Sequence, residues 1–100
     1  MQVITRSRLE TFWKNRPNSE TSLLLWYKRT VTSNWPNFVE LRKVFPSADQ
    51  VGNFAVFSIS GNKYRLITFI DYTHRKVFIR AVLTHAEYDK DDWKKDSWYQ

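Results

Sequence analysis

The stretch Phe54–Leu83, FAVFSISGNKYRLITFIDYTHRKVFIRAVL, decides the fold. It divides into three runs rich in β-branched and aromatic residues, Phe54–Ile59, Lys63–Ile70 and Lys76–Leu83, separated by Ser60-Gly61-Asn62 and by Asp71–Arg75. Runs of this composition with turn-length gaps predict a three-stranded antiparallel meander. Side chains alternate along a strand, so Lys63, Arg65, Ile67 and Phe69 share one face of the second run, and Tyr64, Leu66, Thr68 and Ile70 share the other. In the third run Val77, Ile79, Ala81 and Leu83 form an apolar row, and Lys76, Phe78, Arg80 and Val82 form a mixed one. Bringing the apolar rows together pairs Ile70 with Val77, Phe69 with Phe78, Ile67 with Arg80 and Arg65 with Val82.

On the C-terminal side, Thr84-His85-Ala86-Glu87 has the T-x-x-E form of a capping box and predicts a terminal helix that carries Tyr88 and Trp93 and frays through Lys94–Ser97. On the N-terminal side, Met1–Ile4 reads as a short first strand and Thr5 as an N-cap. Leu9, Phe12 and Trp13 recur at helical spacing up to Pro17. Ser19 opens a second helix with an apolar face of Leu23, Leu24, Trp26, Tyr27 and Val31, and a short helix runs from Phe38 to Lys43 before a loop at Pro46–Asp49. The expectation is one domain over residues 1–100 of α+β class. It has a small, mainly antiparallel sheet of an N-terminal strand plus the meander, N-terminal helices on one face and a C-terminal helix.

The whole chain has 100 residues, 16 Lys+Arg against 10 Asp+Glu, net charge +6, no Cys and 17% aromatic residues. That length excludes a multidomain enzyme, and the lack of Cys excludes disulfides and thiolate metal sites. No apolar run approaches the roughly 18 residues that span a bilayer, and the N-terminus lacks a signal-peptide pattern, so a cytoplasmic protein with no membrane partner is expected. The basic excess is local. From Asn62 to Val82 five basic residues face one acid, whereas Thr84 to Gln100 carries three Lys and five acids. Clustered cations attract polyanions through counterion release, though net charge also serves plain solubility.

In the register above, Arg65 and Arg80 become diagonal neighbours about 7–8 Å apart, able to grip one phosphodiester, with Phe69 and Phe78 beside them for base stacking. An arginine on a solvated strand face and an ordinary cross-strand aromatic pair give the same pattern, so periodicity leaves both readings open. His85 falls at the first turn of the terminal helix, where an imidazole can serve as proton donor or acceptor or stand simply as an exposed helix-start residue. Tyr88 stands one turn further on, as core aromatic or as nucleotide contact. Glu87 is accounted for by the capping box. His74 and His85 make no metal-ligand spacing, and there is neither a Gly-rich phosphate loop nor a Ser-nucleophile context. No cofactor is expected.

Particular strings carry more than periodicity: Val44-Phe-Pro-Ser-Ala-Asp, Val51-Gly-Asn-Phe, Gly61-Asn-Lys-Tyr-Arg-Leu-Ile, Ile79-Arg-Ala-Val and Thr84-His-Ala-Glu-Tyr-Asp-Lys, followed by Trp93-Lys. In this order they resemble the HigB-type toxins of bacterial type II toxin-antitoxin modules, related to the RelE-like fold. The resemblance implies an mRNA interferase acting on mRNA, commonly on the ribosome, and held inactive by a HigA-type helix-turn-helix antitoxin. It also implies a metal-free cleavage in which the RNA 2′-hydroxyl attacks the adjacent phosphodiester. Arg65 and Arg80 would then stabilise the transition state and His85 would act as general acid or base. Tyr88 would orient or stack a base. Lys63, Phe69, Lys76, Phe78 and Lys90 would contact RNA. Two other readings stay open: a non-catalytic RNA- or ribosome-binding module, and a protein-interaction domain using Trp13, Trp26 and the tail.

Overall fold

In a computed structural model of the chain all 100 residues are described. They fold in the order β1 (Gln2–Ile4), α1 (Ser7–Asn15), α2 (Glu20–Val31), α3 (Phe38–Val44), β2 (Asp49–Val51), β3 (Phe54–Ile59), β4 (Tyr64–Asp71), β5 (Lys76–Thr84) and α4 (His85–Asp89), with 3-10 turns at Pro17–Ser19, Asp92–Lys95 and Ser97–Tyr99. The meander forms as expected, but the sheet has five strands in the order β1-β5-β4-β3-β2. Asp49–Val51, at the end of the expected loop, is an edge strand antiparallel to β3, and β1 runs parallel to β5.

One face of the sheet is covered by the N-terminal helices. Leu9 and Phe12 of α1, Leu23 and Trp26 of α2 and Leu41 of α3 are buried against Phe57, Ile59, Leu66, Val77 and Ile79. Fully burying side chains of this size stabilises by roughly 1.5–3 kcal/mol each, which is why short helices hold their places. Their ends depart from expectation. Thr5 does not cap α1; it has φ +70°, Arg6 precedes the helix, and no side chain caps it. Buried Ser19 donates from its hydroxyl to the Arg16 carbonyl at 2.7 Å instead of accepting from α2. Asn37 does cap α3, its Oδ1 accepting from Glu40 N at 3.0 Å.

The expected register holds at Ile70↔Val77 and Phe69↔Phe78 and then breaks. Thr68 pairs with Ile79 and Ile67 with Ala81, so Arg80 is an extra residue in β5 with no partner. Such a bulge reverses the alternation beyond it. Val77 and Ile79 face the helices, but after the bulge it is Val82 that packs toward them, and Ala81 and Leu83 turn to the opposite face. The single apolar row read from the sequence is therefore two half-rows on opposite faces. Arg65 lies opposite Leu83, not Val82, and Arg80 is displaced from it along β5. Because β1 pairs only as far as Phe78, β5 has an open edge beyond it. There Arg8 of α1 donates to the carbonyls of Ile79 at 3.1 Å and Arg80 at 2.6 Å.

The C-terminal segment neither continues as a helix nor frays. Asp91 takes φ +63°, ending α4 after one turn, and the chain folds back across the second face of the sheet. There Trp93 packs with Phe54, Val56 and Ile67, and Tyr88 and Tyr99 join them. The face that the sequence reading left half-open is thus a second, smaller core under an aromatic tail.

Candidate active site

The polar end of the sheet is where β4 starts, β5 ends and α4 begins. The β3–β4 turn closes with Ser60 at φ +53° and Gly61 at φ +67°, and Lys63 follows, exposed. The Lys63 carbonyl accepts from the backbone N–H of His85 at 3.0 Å, which ties the turn to the first residue of α4. Thr84 forms both halves of the expected capping box: its Oγ1 accepts from Glu87 N at 3.2 Å and its N–H donates to Glu87 Oε1 at 2.9 Å. Those hydrogen bonds, the backbone one first, hold the Glu87 carboxyl below its usual range, with Arg16 of α1 close enough to add to the effect. Glu87 is committed to the helix end.

Arg65 projects on the tail face. Its guanidinium donates to the carbonyls of Asn62 at 3.2 Å and Tyr64 at 3.3 Å, and its Cζ lies 5.4 Å from the centroid of the Tyr88 ring. Tyr88 stacks on Trp93 at 5.1 Å with 10° between the planes, and Trp93 Nε1 donates to the Tyr88 carbonyl at 2.9 Å. Burial raises the Tyr88 phenol pKa against the opposing pull of Arg65, so its hydroxyl stays protonated at neutral pH and is available as a donor. His85 is exposed at the helix start, its Nε2 3.3 Å from Asp89 Oδ2. Neither Lys63 nor Arg65 takes part in an ion pair.

The structure therefore gathers Lys63, Arg65, His85 and Tyr88 at one end, with Lys90 at the close of the same short helix, and separates Arg80, Phe69, Phe78 and Lys76 from them. Arg80 does not converge with Arg65. Its Nε and Nη2 donate to the two Asp96 carboxylate oxygens at 2.8 Å each, with its Cζ 3.9 Å over the Trp98 ring. The Arg80 hydrogen bonds hold the Asp96 carboxyl below its usual range. Phe69 and Phe78 do form the cross-strand pair, at 6.3 Å, but they are not open to a base. Trp98 packs edge-on against both, at 5.4 and 5.3 Å. Lys76 pairs with Asp71 and Gln2 at the far end of the sheet from Arg65. Lys90 is exposed where α4 stops. Two supporting residues escaped the sequence reading: Trp93 as the platform under Tyr88, and Arg16 beside Glu87. Only the long-range packing of α1 and the tail brings them here. No group of three or more His, Asp or Glu side chains is arranged to hold a metal ion.

Two unpaired cations beside an exposed imidazole and a neutral phenol, on a mixed sheet backed by helices, define a small α+β protein with a cationic cluster at one end of its sheet. Comparison with known proteins agrees with that class. A family model described as HigB_toxin, RelE-like toxic component of a toxin-antitoxin system, matches residues 19–91, and the chain belongs to this family. The chain is 27% identical over 93 residues to the mRNA interferase HigB of Escherichia coli O6:H1 (strain CFT073), covering 90% of each chain. It is 29% identical over 92 residues to the mRNA interferase toxin HigB of Escherichia coli K12, covering 89% of this chain and 88% of that one. The mRNA interferase HigB of Shigella flexneri gives the same figures.

Proposed function

We propose that this toxin is an endoribonuclease that cleaves mRNA, and that Lys63, Arg65, His85 and Tyr88 form its active site. The observation that carries this reading is their convergence where β4, β5 and α4 meet, with both cations free of carboxylate partners. Lys63 and Arg65 bind the phosphates flanking the scissile bond. In the reaction the RNA 2′-oxygen bonds to the adjacent phosphorus and loses its proton, and the P–O5′ bond breaks as the 5′-oxygen gains one. The products are a 2′,3′-cyclic phosphate and a 5′-hydroxyl. The nucleophile belongs to the RNA, so the chain has to orient the strand, stabilise charge and move protons. Arg65 stabilises the charge that develops on the non-bridging oxygens, and one such donor contributes about 3–4 kcal/mol. His85 exchanges a proton with the reacting oxygens. Tyr88, supported by Trp93, holds the Arg65 guanidinium in place and offers its hydroxyl as donor. Arg80, bound to Asp96, acts as a positioning residue that fastens the tail carrying Trp93. Cleavage on the ribosome, in the cytoplasm, and neutralisation by a HigA-type antitoxin complete the proposal.

The test is expression with and without the antitoxin, with growth and the 5′ ends of mRNA followed. Growth arrest with new 5′-hydroxyl ends is expected, and arrest without cleavage would overturn the assignment. Arg65→Ala and His85→Ala should each reduce cleavage by about 10²-fold with melting temperatures close to wild type. A non-catalytic RNA-binding module would instead lose RNA affinity on Arg65→Ala and be indifferent to His85→Ala.

A further inference from the structure

Three of the five exposed large apolar side chains gather on one side of the helical layer, Leu25 (50% exposed) on α2 and Val39 (67%) and Val44 on α3, while Val31 and Trp98 line neither of the hollows found there. Leu25 and Val44 flank a cleft of about 250 Å³ between α2, α3 and the end of β3, and Val39 lines an adjoining hollow that shares Pro46 with it. Such clustered apolar exposure marks an interaction site in a monomer of this size. Its rim is basic: Arg29 lines the cleft, Arg42 and Lys43 line the hollow, no acid lines either, and Glu40 of α3 pairs with Lys43 at 3.1 Å. Trp26, 2% exposed, lines the cleft, and its Nε1 has no acceptor within the chain.

We infer that this α2–α3 groove is the docking surface for the antitoxin, which enters it with an acidic segment carrying apolar anchors. The inference rests on the toxin assignment of the preceding section for the existence of that partner. The charge of the rim selects an acidic occupant, and the exposed Leu and Val side chains require apolar anchors, which a nucleic acid strand does not supply. The cleft also adjoins the candidate site without overlapping it. Ser22 on its wall receives a hydrogen bond from the Ser60 hydroxyl at 3.0 Å, and Ser60 begins the turn whose Lys63 carbonyl holds the start of α4. An occupant of the groove therefore bears on the turn that sets Lys63 and His85.

Binding of the full-length chain to its purified antitoxin tests this, with hydrogen exchange on the wild-type complex as the first measurement. Protection of α2 and α3 is expected; protection confined to α4 and the tail would overturn the inference. Leu25→Ser, Val39→Asp and Arg42→Glu, all at exposed positions and checked for unchanged melting, should each weaken antitoxin binding by roughly tenfold or more. They should also let growth arrest escape antitoxin rescue. Wild-type antitoxin affinity in all three would overturn it, and so would a loss of RNA binding with antitoxin affinity intact, since the groove would then be a nucleic-acid surface. A chain that binds the antitoxin through α2–α3 yet cleaves no RNA would sustain the docking site and remove the endoribonuclease reading.

Discussion

Arg80 stands at a bulge that re-aims its side chain, above an indole and against a carboxylate that accepts two of its hydrogen bonds. Removing either partner leaves a half-buried charge with an unmet hydrogen bond, so Arg80→Ala and Asp96→Ala should each lower unfolding free energy by about 1–3 kcal/mol. The double variant should lose less than their sum, which urea unfolding of the four proteins would read. The pair also sets an acid limit. Asp96 has its carboxyl pKa depressed below the ordinary value of 3.8, chiefly by Arg80, so its contribution is complete above that value and is lost as pH falls through the lower folded one. Wild-type stability should therefore drop more steeply below about pH 4 than that of Asp96→Asn, as melting temperatures across pH 2–6 would show. Both arginines were legible as polar residues within strands; that the bulge keeps them apart was not. Nothing at Ile79-Arg80-Ala81 marks a bulge, since no Gly or Pro stands there, and one unpaired residue moves everything after it to the other face.

The smallest helix, α4, carries His85 and Tyr88 and owes its position to Thr84. Thr84→Ala removes one half of the capping box and should cost about 1 kcal/mol. Cleavage should fall further than that loss of folding accounts for, because the imidazole and phenol lose their fixed start; comparing initial cleavage rates with melting curves checks this. The tail depends on a turn far away in sequence. Gly52 has φ +57°, and a Cβ there would lie 2.7 Å from Cε1 of the Tyr99 ring and 2.9 Å from the Tyr99 carbonyl oxygen, whereas at Gly61, with φ +67°, it would meet open space. Gly52→Ala should thus destabilise by about 1–3 kcal/mol more than Gly61→Ala, the difference isolating the clash with Tyr99 from the shared cost of positive φ. Among elements, those with a local signature were readable: the meander, the capping box and the amphipathic α1 and α2. β2 was not, being three residues whose strand character comes only from pairing with β3. The capping box predicts a helix that frays through Lys94–Ser97, and nothing in that box signals the left-handed residue that ends it at Asp91. Yet Tyr88, Trp93 and Trp98 recur every five residues, a spacing that fits no single helix face and accompanies the turns the chain makes there.

At the scale of the molecule, helices cover one face of the sheet and the aromatic tail covers the other, so the surface left for the proposed RNA substrate is an end of the sheet. The net charge of +6 is therefore not spread over a binding face. If Lys63, Arg65 and Lys90 make the phosphate contacts, log K for single-stranded RNA should fall with log salt at a slope of about −2, near −0.7 per contact. Lys76→Ala, at the opposite end, should leave that slope unchanged; a titration series in potassium chloride measures both. A row of free strand carbonyls is a template on which a second chain can add itself and begin an aggregate. By occupying those of Ile79 and Arg80, the first helix stands guard over the place where the three-residue β1 leaves the sheet uncovered. Arg8 thereby withholds two of the acceptors that an incoming strand would need.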